Sequence, residues 1–238
     1  MMKRTREHEK FWRKYPRLFS VFVALGFPAC VDTSVAPVEN QEQVRDVKKT
    51  EVLFIGNSYS FGVPKAFRKL AEKRDKKVRV GSATHGGWTL EQHAAHDPTL
   101  KKLRSRDWDV VVIQEQSLRP ALKESDRRAV MDPAVRFFVE QAKTIGATPI
   151  LYQTWGRRDG RDWLEDDDFF KMNARIREGY RSAAKRAGGV TVAPAGDAWE
   201  REFLAGRGQE LFHEDGTHPS EFGDMVTAEV FYETIFGK

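Results

Sequence analysis

Cysteine is nearly missing from this sequence: a chain of 238 residues holds one, Cys30. A single thiol cannot close an intramolecular disulfide, so the fold must stand on its core alone, and the chain beyond residue 30 cannot build a cysteine-based metal site. Internal repeats and low-complexity blocks are also missing. The folded part lacks net charge as well. The chain carries +5 overall, but Lys3, Arg4, Arg6, Lys10, Arg13, Lys14 and Arg17 against Glu7 and Glu9 account for all of it. The remainder is balanced, so composition gives no support to nucleic-acid binding, which needs a basic face on the folded part. What is present is ordinary for a globular domain: 40% hydrophobic and 32% charged residues, unlike collagen-like or disordered chains.

The basic segment runs into the uncharged stretch Leu18–Phe27, too short to span a bilayer as a helix. Basic segment, short apolar segment, small residue: this is the layout of a secretory signal peptide. Phe27-Pro28-Ala29-Cys30 resembles a bacterial lipobox, although Leu is usual where Phe27 stands and Pro28 is odd. Residues 1–30 are therefore expected to be a signal peptide of lipoprotein type with Cys30 lipidated. The alternative is a soluble secreted protein cut nearby, with Ala36 as a possible site. A lipid on Cys30 would hold the protein at a membrane surface outside the cytoplasm. Residues 31–49 are polar without an apolar period and read as a flexible linker, leaving 50–238 as the domain.

From residue 50 strand and helix signals alternate. Glu51–Ile55, Lys77–Gly81, Trp108–Ile113, Thr148–Tyr152 and Val190–Ala193 are short apolar strands. Between them, Val63/Phe67/Leu70/Ala71, Ala134/Phe137/Phe138/Gln141/Ile145 and Phe169/Met172/Ile176/Tyr180/Ala184 fall at helical spacing, the last two runs ending at Gly146 and Gly188. A final helix opens at Ser220. Such alternation predicts an α/β fold: a three-layer α/β/α sandwich on a parallel sheet with right-handed crossovers. For five strands the flavodoxin-like order 2-1-3-4-5 is expected. It puts a switch point between strands one and three, where ligands bind beyond the carboxyl ends.

The polar residues of the sequence collect at that end. Gly56-Asn57-Ser58 follows strand one, Gly86-Gly87-Trp88-Thr89 strand two, and Gln114-Glu115-Gln116-Ser117 strand three, while Asp215-Gly216-Thr217-His218 precedes the last helix. A serine at a strand-to-helix turn faces free backbone N–H groups and the positive end of the helix dipole, where an oxyanion would be stabilised; it can equally be an N-cap. An aspartate three residues before a histidine can accept from the imidazole Nδ1–H, or merely form an Asp-Gly turn.

Together these four motifs resemble the SGNH, or GDSL, hydrolase superfamily of esterases and lipases, over about residues 51–236. Asn57 stands where that family usually has aspartate, and glutamines stand where its third motif usually offers asparagine. The second departure gives a partial likeness to carbohydrate esterases with a Gln-Gly-Glu segment. The resemblance implies a catalytic set of Ser58, His218 and Asp215, working by acyl transfer without a cofactor. It implies an oxyanion hole made by the Ser58 and Gly87 N–H groups with Gln114; Gly86 and Gln116 are the alternatives, since Gln114 and Gln116 share one strand face. The expected substrate is a small-molecule or carbohydrate ester, first of all O-acetyl groups on carbohydrate and second lipid or lysophospholipid esters.

Trp88, Trp155 and Trp199 follow strands two, four and five and are candidates to bind substrate at the rim, or to pack there. His85, His93 and His96 read as surface or loop residues. The string His213-Glu214-Asp215-Gly216-Thr217-His218 spaces its histidines five apart rather than as HExxH, so no metal site is expected. Asp162–Phe170 reads as an acidic insertion near the mouth. Two rivals share the scaffold: an FMN-binding module using Asn57–Ser60, and a non-catalytic glycan-binding module using the tryptophans.

Overall fold

The computed structural model describes residues 48–161 and 164–237. The expected signal peptide, Cys30 and nearly all of the linker lie outside the described residues, as do Asp162 and Trp163. Lys48, expected in the linker, already joins the domain through Asp109 at 2.9 Å.

Five strands form one parallel sheet: β1 (Thr50–Gly56), β2 (Val78–Thr84), β3 (Val110–Ile113), β4 (Thr148–Gln153) and β5 (Thr191–Pro194), in the order β2-β1-β3-β4-β5. Order and parallel pairing are those the sequence pattern implies. The strands at the centre are apolar on both faces because helices cover both. Side chains alternate across a strand, so Val52, Phe54, Val110, Val112, Ile150 and Tyr152 share one face. That face lies under α1 (Val63–Lys73), α7 (Ala195–Leu204) and α8 (Glu221–Phe236). The opposite face, with Leu53, Ile55, Val111 and Ile113, meets α5 (Asp132–Thr144) and α6 (Phe169–Arg186).

Short elements fill the connections: α2 (Leu90–Ala94) and α3 (Asp97–Leu103) after β2, and α4 (Glu124–Val130) after β3. Their periods are too brief to read from sequence. Strand β2 runs three residues beyond the expected Gly81, since an edge strand needs only one apolar face and tolerates Ser82 and Thr84. Strand β3 begins at Val110, not Trp108: the Trp108 indole turns away to donate to the Lys102 carbonyl at 3.2 Å. The part of the expected acidic insertion that is described ends as a helix start. Asp168 caps α6 by accepting from Lys171 N at 2.7 Å, and Phe169 is buried.

Beneath α8 an aromatic column runs from the sheet to the loops. Trp155 stacks on Trp199 with centroids 3.7 Å apart and on Tyr59 at 4.8 Å, both nearly coplanar. Trp199 also donates to Thr227 Oγ1 of α8 at 2.9 Å. Trp199→Ala should therefore cost about 3–5 kcal/mol of unfolding free energy, measurable by urea denaturation.

Candidate active site

Ser58 opens a single 3₁₀ turn, Ser58–Ser60, directly beyond β1. The turn is fixed from behind by two buried amides. Asn57 Oδ1 accepts from Tyr59 N at 3.1 Å and from Gln114 Nε2 at 2.8 Å. Gln114 Oε1 accepts from Asn57 N at 2.9 Å and from Ser60 Oγ at 2.8 Å. The second Gln114 hydrogen goes to the Glu115 carbonyl at 2.7 Å. Gly56 is a glycine because of this pair: a Cβ there would lie 2.4 Å from Gln114 Oε1. Asn57 Nδ2 reaches across to the Trp88 carbonyl at 3.1 Å, joining the serine turn to the Gly86–Trp88 segment.

The imidazole comes from a segment 160 residues further along the chain. The loop before α8 closes on itself through a bridge between Phe212 and Pro219 and through His213 N to His218 O at 2.9 Å. Inside it, Asp215 Oδ1 accepts from the Thr217 and His218 N–H groups, both at 2.9 Å, while Oδ2 accepts from His218 Nδ1 at 2.6 Å. A carboxylate only accepts, so Nδ1–H is the donor, and in the neutral imidazole Nε2 presents its lone pair. That lone pair faces Ser58 Oγ at 2.8 Å. Burial pushes the Asp215 carboxyl up, but the His218 side chain and the two backbone donors outweigh it and hold it down at about 2. The aromatic column carries the loop. Trp155 Nε1 donates to the Thr217 carbonyl at 3.0 Å, Tyr59 OH bonds Thr217 Oγ1, and the Tyr59 ring meets His218 edge-on at 5.5 Å.

The sequence motifs thus meet at the carboxyl ends of β1 and β3. A protein from Slackia heliotrinireducens described as an SGNH hydrolase is 31% identical, with 79% of this chain and 100% of that one covered and a TM-score of 0.63. The chain belongs to the SGNH hydrolases. A DUF4886 family protein from Bacteroides uniformis (20% identity, 80% and 84% covered, TM-score 0.70) and the acetylxylan esterase Axe2 from Geobacillus stearothermophilus (16%, 79% and 95%, 0.60) share the fold. No sequence-family model and no curated protein matches.

In this SGNH hydrolase several residues stand elsewhere than their sequence positions suggested. Gln114, expected in the oxyanion hole, is fully buried, and both its amide hydrogens are taken by Asn57 and Glu115. It positions the serine turn. Gln116, the alternative, folds back on its own turn, accepting from Leu118 N at 2.8 Å. Trp155 and Trp199, expected at the rim, are 0% exposed in the column and cannot touch substrate. Trp88 is half-buried and stacks on His85 at 4.0 Å. Gly87 adopts a φ of +72° and is exposed, as is Gly86. The Ser58 and Gly87 N–H groups meet no acceptor among the described residues.

His93 is not a surface residue. It is fully buried, with Nε2 donating to the Gly56 carbonyl at 2.8 Å and Nδ1 facing Thr99 Oγ1 at 3.1 Å. Burial, with His85 and His96 nearby, holds it down at about 4 against the pull of the Gly56 bond; it stays neutral and pins the end of β1. A one-turn helix was hidden from periodicity, and this histidine's role with it. Glu115 was not singled out in the sequence. Its Oε1 accepts from Leu90 N at 3.1 Å and Gln116 N at 2.7 Å, tying the start of α2, and so the Gly86–Thr89 segment, to β3. Burial pushes this carboxyl up to about 7.

Two outcomes follow from these buried groups. Gln114→Ala leaves the Asn57 N–H and the Ser60 hydroxyl without their acceptor and removes one of the two donors to Asn57 Oδ1, and should lower unfolding free energy by at least about 2 kcal/mol. An oxyanion donor would instead lower turnover with stability unchanged, so urea denaturation beside kcat separates the roles. For Glu115 the native state holds a proton that the unfolded chain releases near its ordinary value, so stability falls as pH rises from about 4.5 to about 7. Glu115→Gln should flatten that part of the unfolding free-energy profile against pH.

Proposed function

We propose that the protein is a serine esterase working through an acyl-enzyme, with Ser58 as nucleophile, His218 as general base and Asp215 as the group that orients the imidazole. The observation that carries this reading is the chain of two hydrogen bonds, Ser58 Oγ to His218 Nε2 at 2.8 Å and His218 Nδ1 to Asp215 Oδ2 at 2.6 Å. Oγ attacks the ester carbonyl as its proton passes to Nε2. The tetrahedral oxyanion takes the Ser58 and Gly87 N–H groups as donors. When the C–O bond to the alcohol breaks, the Nε2 proton goes to the leaving oxygen. Water then adds to the acyl-enzyme, giving a proton to Nε2, and the acid departs as Oγ is reprotonated. The set needs no cofactor.

The first substrate class is a short acyl group, such as acetyl, on a carbohydrate hydroxyl. It is supported by acetylxylan esterases that share the fold and by the Gln114-Glu115 segment. The basic and apolar segment ending at Cys30 supports an extracytoplasmic, lipid-anchored address.

Ser58→Ala should lower kcat for 4-nitrophenyl acetate by on the order of 10⁶ and block labelling by a fluorophosphonate. Asp215→Asn should cost about 10⁴ by leaving the imidazole in the wrong tautomer. Unchanged hydrolysis by Ser58→Ala sinks the mechanism.

A further inference from the structure

One carboxyl beside the proposed nucleophile takes no part in the mechanism. Asp224 lies in the first turn of α8 and helps to line a cavity of about 310 Å³ with Ser58, His218, Pro219, Phe61 and Gly62. Other shielded aspartates are matched: Asp132 by Arg186, Asp167 by Arg175, Asp197 by Arg177. The Asp224 carboxyl has no ion pair or hydrogen bond among the described residues, and its Oδ1 is buried with its lone pairs unmet. Such a group costs stability unless something satisfies it. Burial, with Glu221 adding to it, pushes the carboxyl up to about 7.

Space has been kept for it. Gly62 has an ordinary helical backbone, with φ −89° and ψ −37°, so no torsion demands glycine there. A Cβ on Gly62 would lie 1.7 Å from Asp224 Oδ2: the carboxylate occupies the volume a side chain would fill. Next to it the Phe61 ring is 58% exposed, an apolar face left in water at the mouth of the cavity.

The side of the site is set by proton transfer. A proton held on His218 Nε2 must be delivered to the leaving oxygen, so the alcohol half of an ester lies against the imidazole. The cavity is walled by that imidazole, and Gly86, Gly87 and Trp88 do not line it. We propose that Asp224 accepts a hydrogen bond from a free hydroxyl on the alcohol half of the ester, while Phe61 packs on the C–H face of the same polyhydroxylated ring. This rests on the esterase reading for its orientation. It makes Asp224 a specificity-determining residue: an alcohol half with a second hydroxyl near the esterified one satisfies the carboxyl, and a plain alkyl or aryl alcohol leaves it bare.

The test is binding of xylobiose to the full-length Ser58→Ala protein, followed by backbone amide NMR shifts, with and without Asp224→Ala or Asp224→Asn. Because this protein lacks the nucleophile, the result does not depend on turnover, and the catalytic reading stands or falls separately on 4-nitrophenyl acetate. Saturable binding is expected, about 10–100-fold weaker with Asp224→Ala, with Asp224→Asn in between. A retained amide spectrum reports that each variant folds. In the Ser58 enzyme, the loss in kcat/KM on Asp224→Ala should be at least ten-fold greater for acetylated xylobiose than for 4-nitrophenyl acetate. No saturable binding, an affinity indifferent to both Asp224 variants, or equal kinetic losses on the two esters would overturn the assignment.

Discussion

The site depends on a reciprocal pair of buried amides. Asn57 and Gln114 exchange hydrogen bonds behind the serine turn, with the Ser60 hydroxyl and the Tyr59 N–H drawn into the same set. In a dry pocket every donor must find an acceptor, and an amide supplies both kinds on one planar head. A carboxylate at position 57 could accept from Tyr59 and Gln114 but could not donate to the Trp88 carbonyl as Nδ2 does at 3.1 Å. The two departures from the usual family motifs are therefore one departure: the residues at 57 and 114 touch, and each suits the other.

The imidazole is secured by different physics. His218 sits on a loop that is partly open to solvent, and its bond to Asp215 alone would not fix the loop against the sheet. The stacked rings of Tyr59, Trp155 and Trp199 supply a broad apolar bearing, and the hydrogen bonds from Trp155 and Tyr59 to Thr217 attach the loop to it. Tyr59 belongs to both halves. Its backbone N–H is capped by Asn57, and its ring meets His218. Ser58 and His218 thus share one neighbour, which sets their separation.

Much of this was legible in the sequence, for definable reasons. Strands buried on both faces leave near-continuous apolar runs, so the sheet and its order could be read, and the order alone located the end at which Ser58, Gly87, Asp215 and His218 gather. Side-chain partnership was harder. A period of two puts Gln114 and Gln116 on one face but cannot say that the first points inward to an amide and the second back to its own turn. Tryptophans after strands were equally ambiguous: rim and core differ by the rotation of one loop, and Trp155 and Trp199 turned inward because they could stack on each other. His93 and Asp224 sit against Gly56 and Gly62, each far away in sequence, and no local pattern marks such pairs.

The column of rings has an optical consequence. Trp155 Nε1 bonds the very carbonyl that precedes His218, in a stack with a second indole 3.7 Å away. An indole's emission responds to what its N–H touches and to whether water reaches it. If the histidine loop lifts from the domain, Trp155 exchanges a peptide oxygen for solvent, and the colour and yield of the protein's own ultraviolet fluorescence change with it. The molecule carries a built-in gauge of whether His218 is seated, readable in real time without a label.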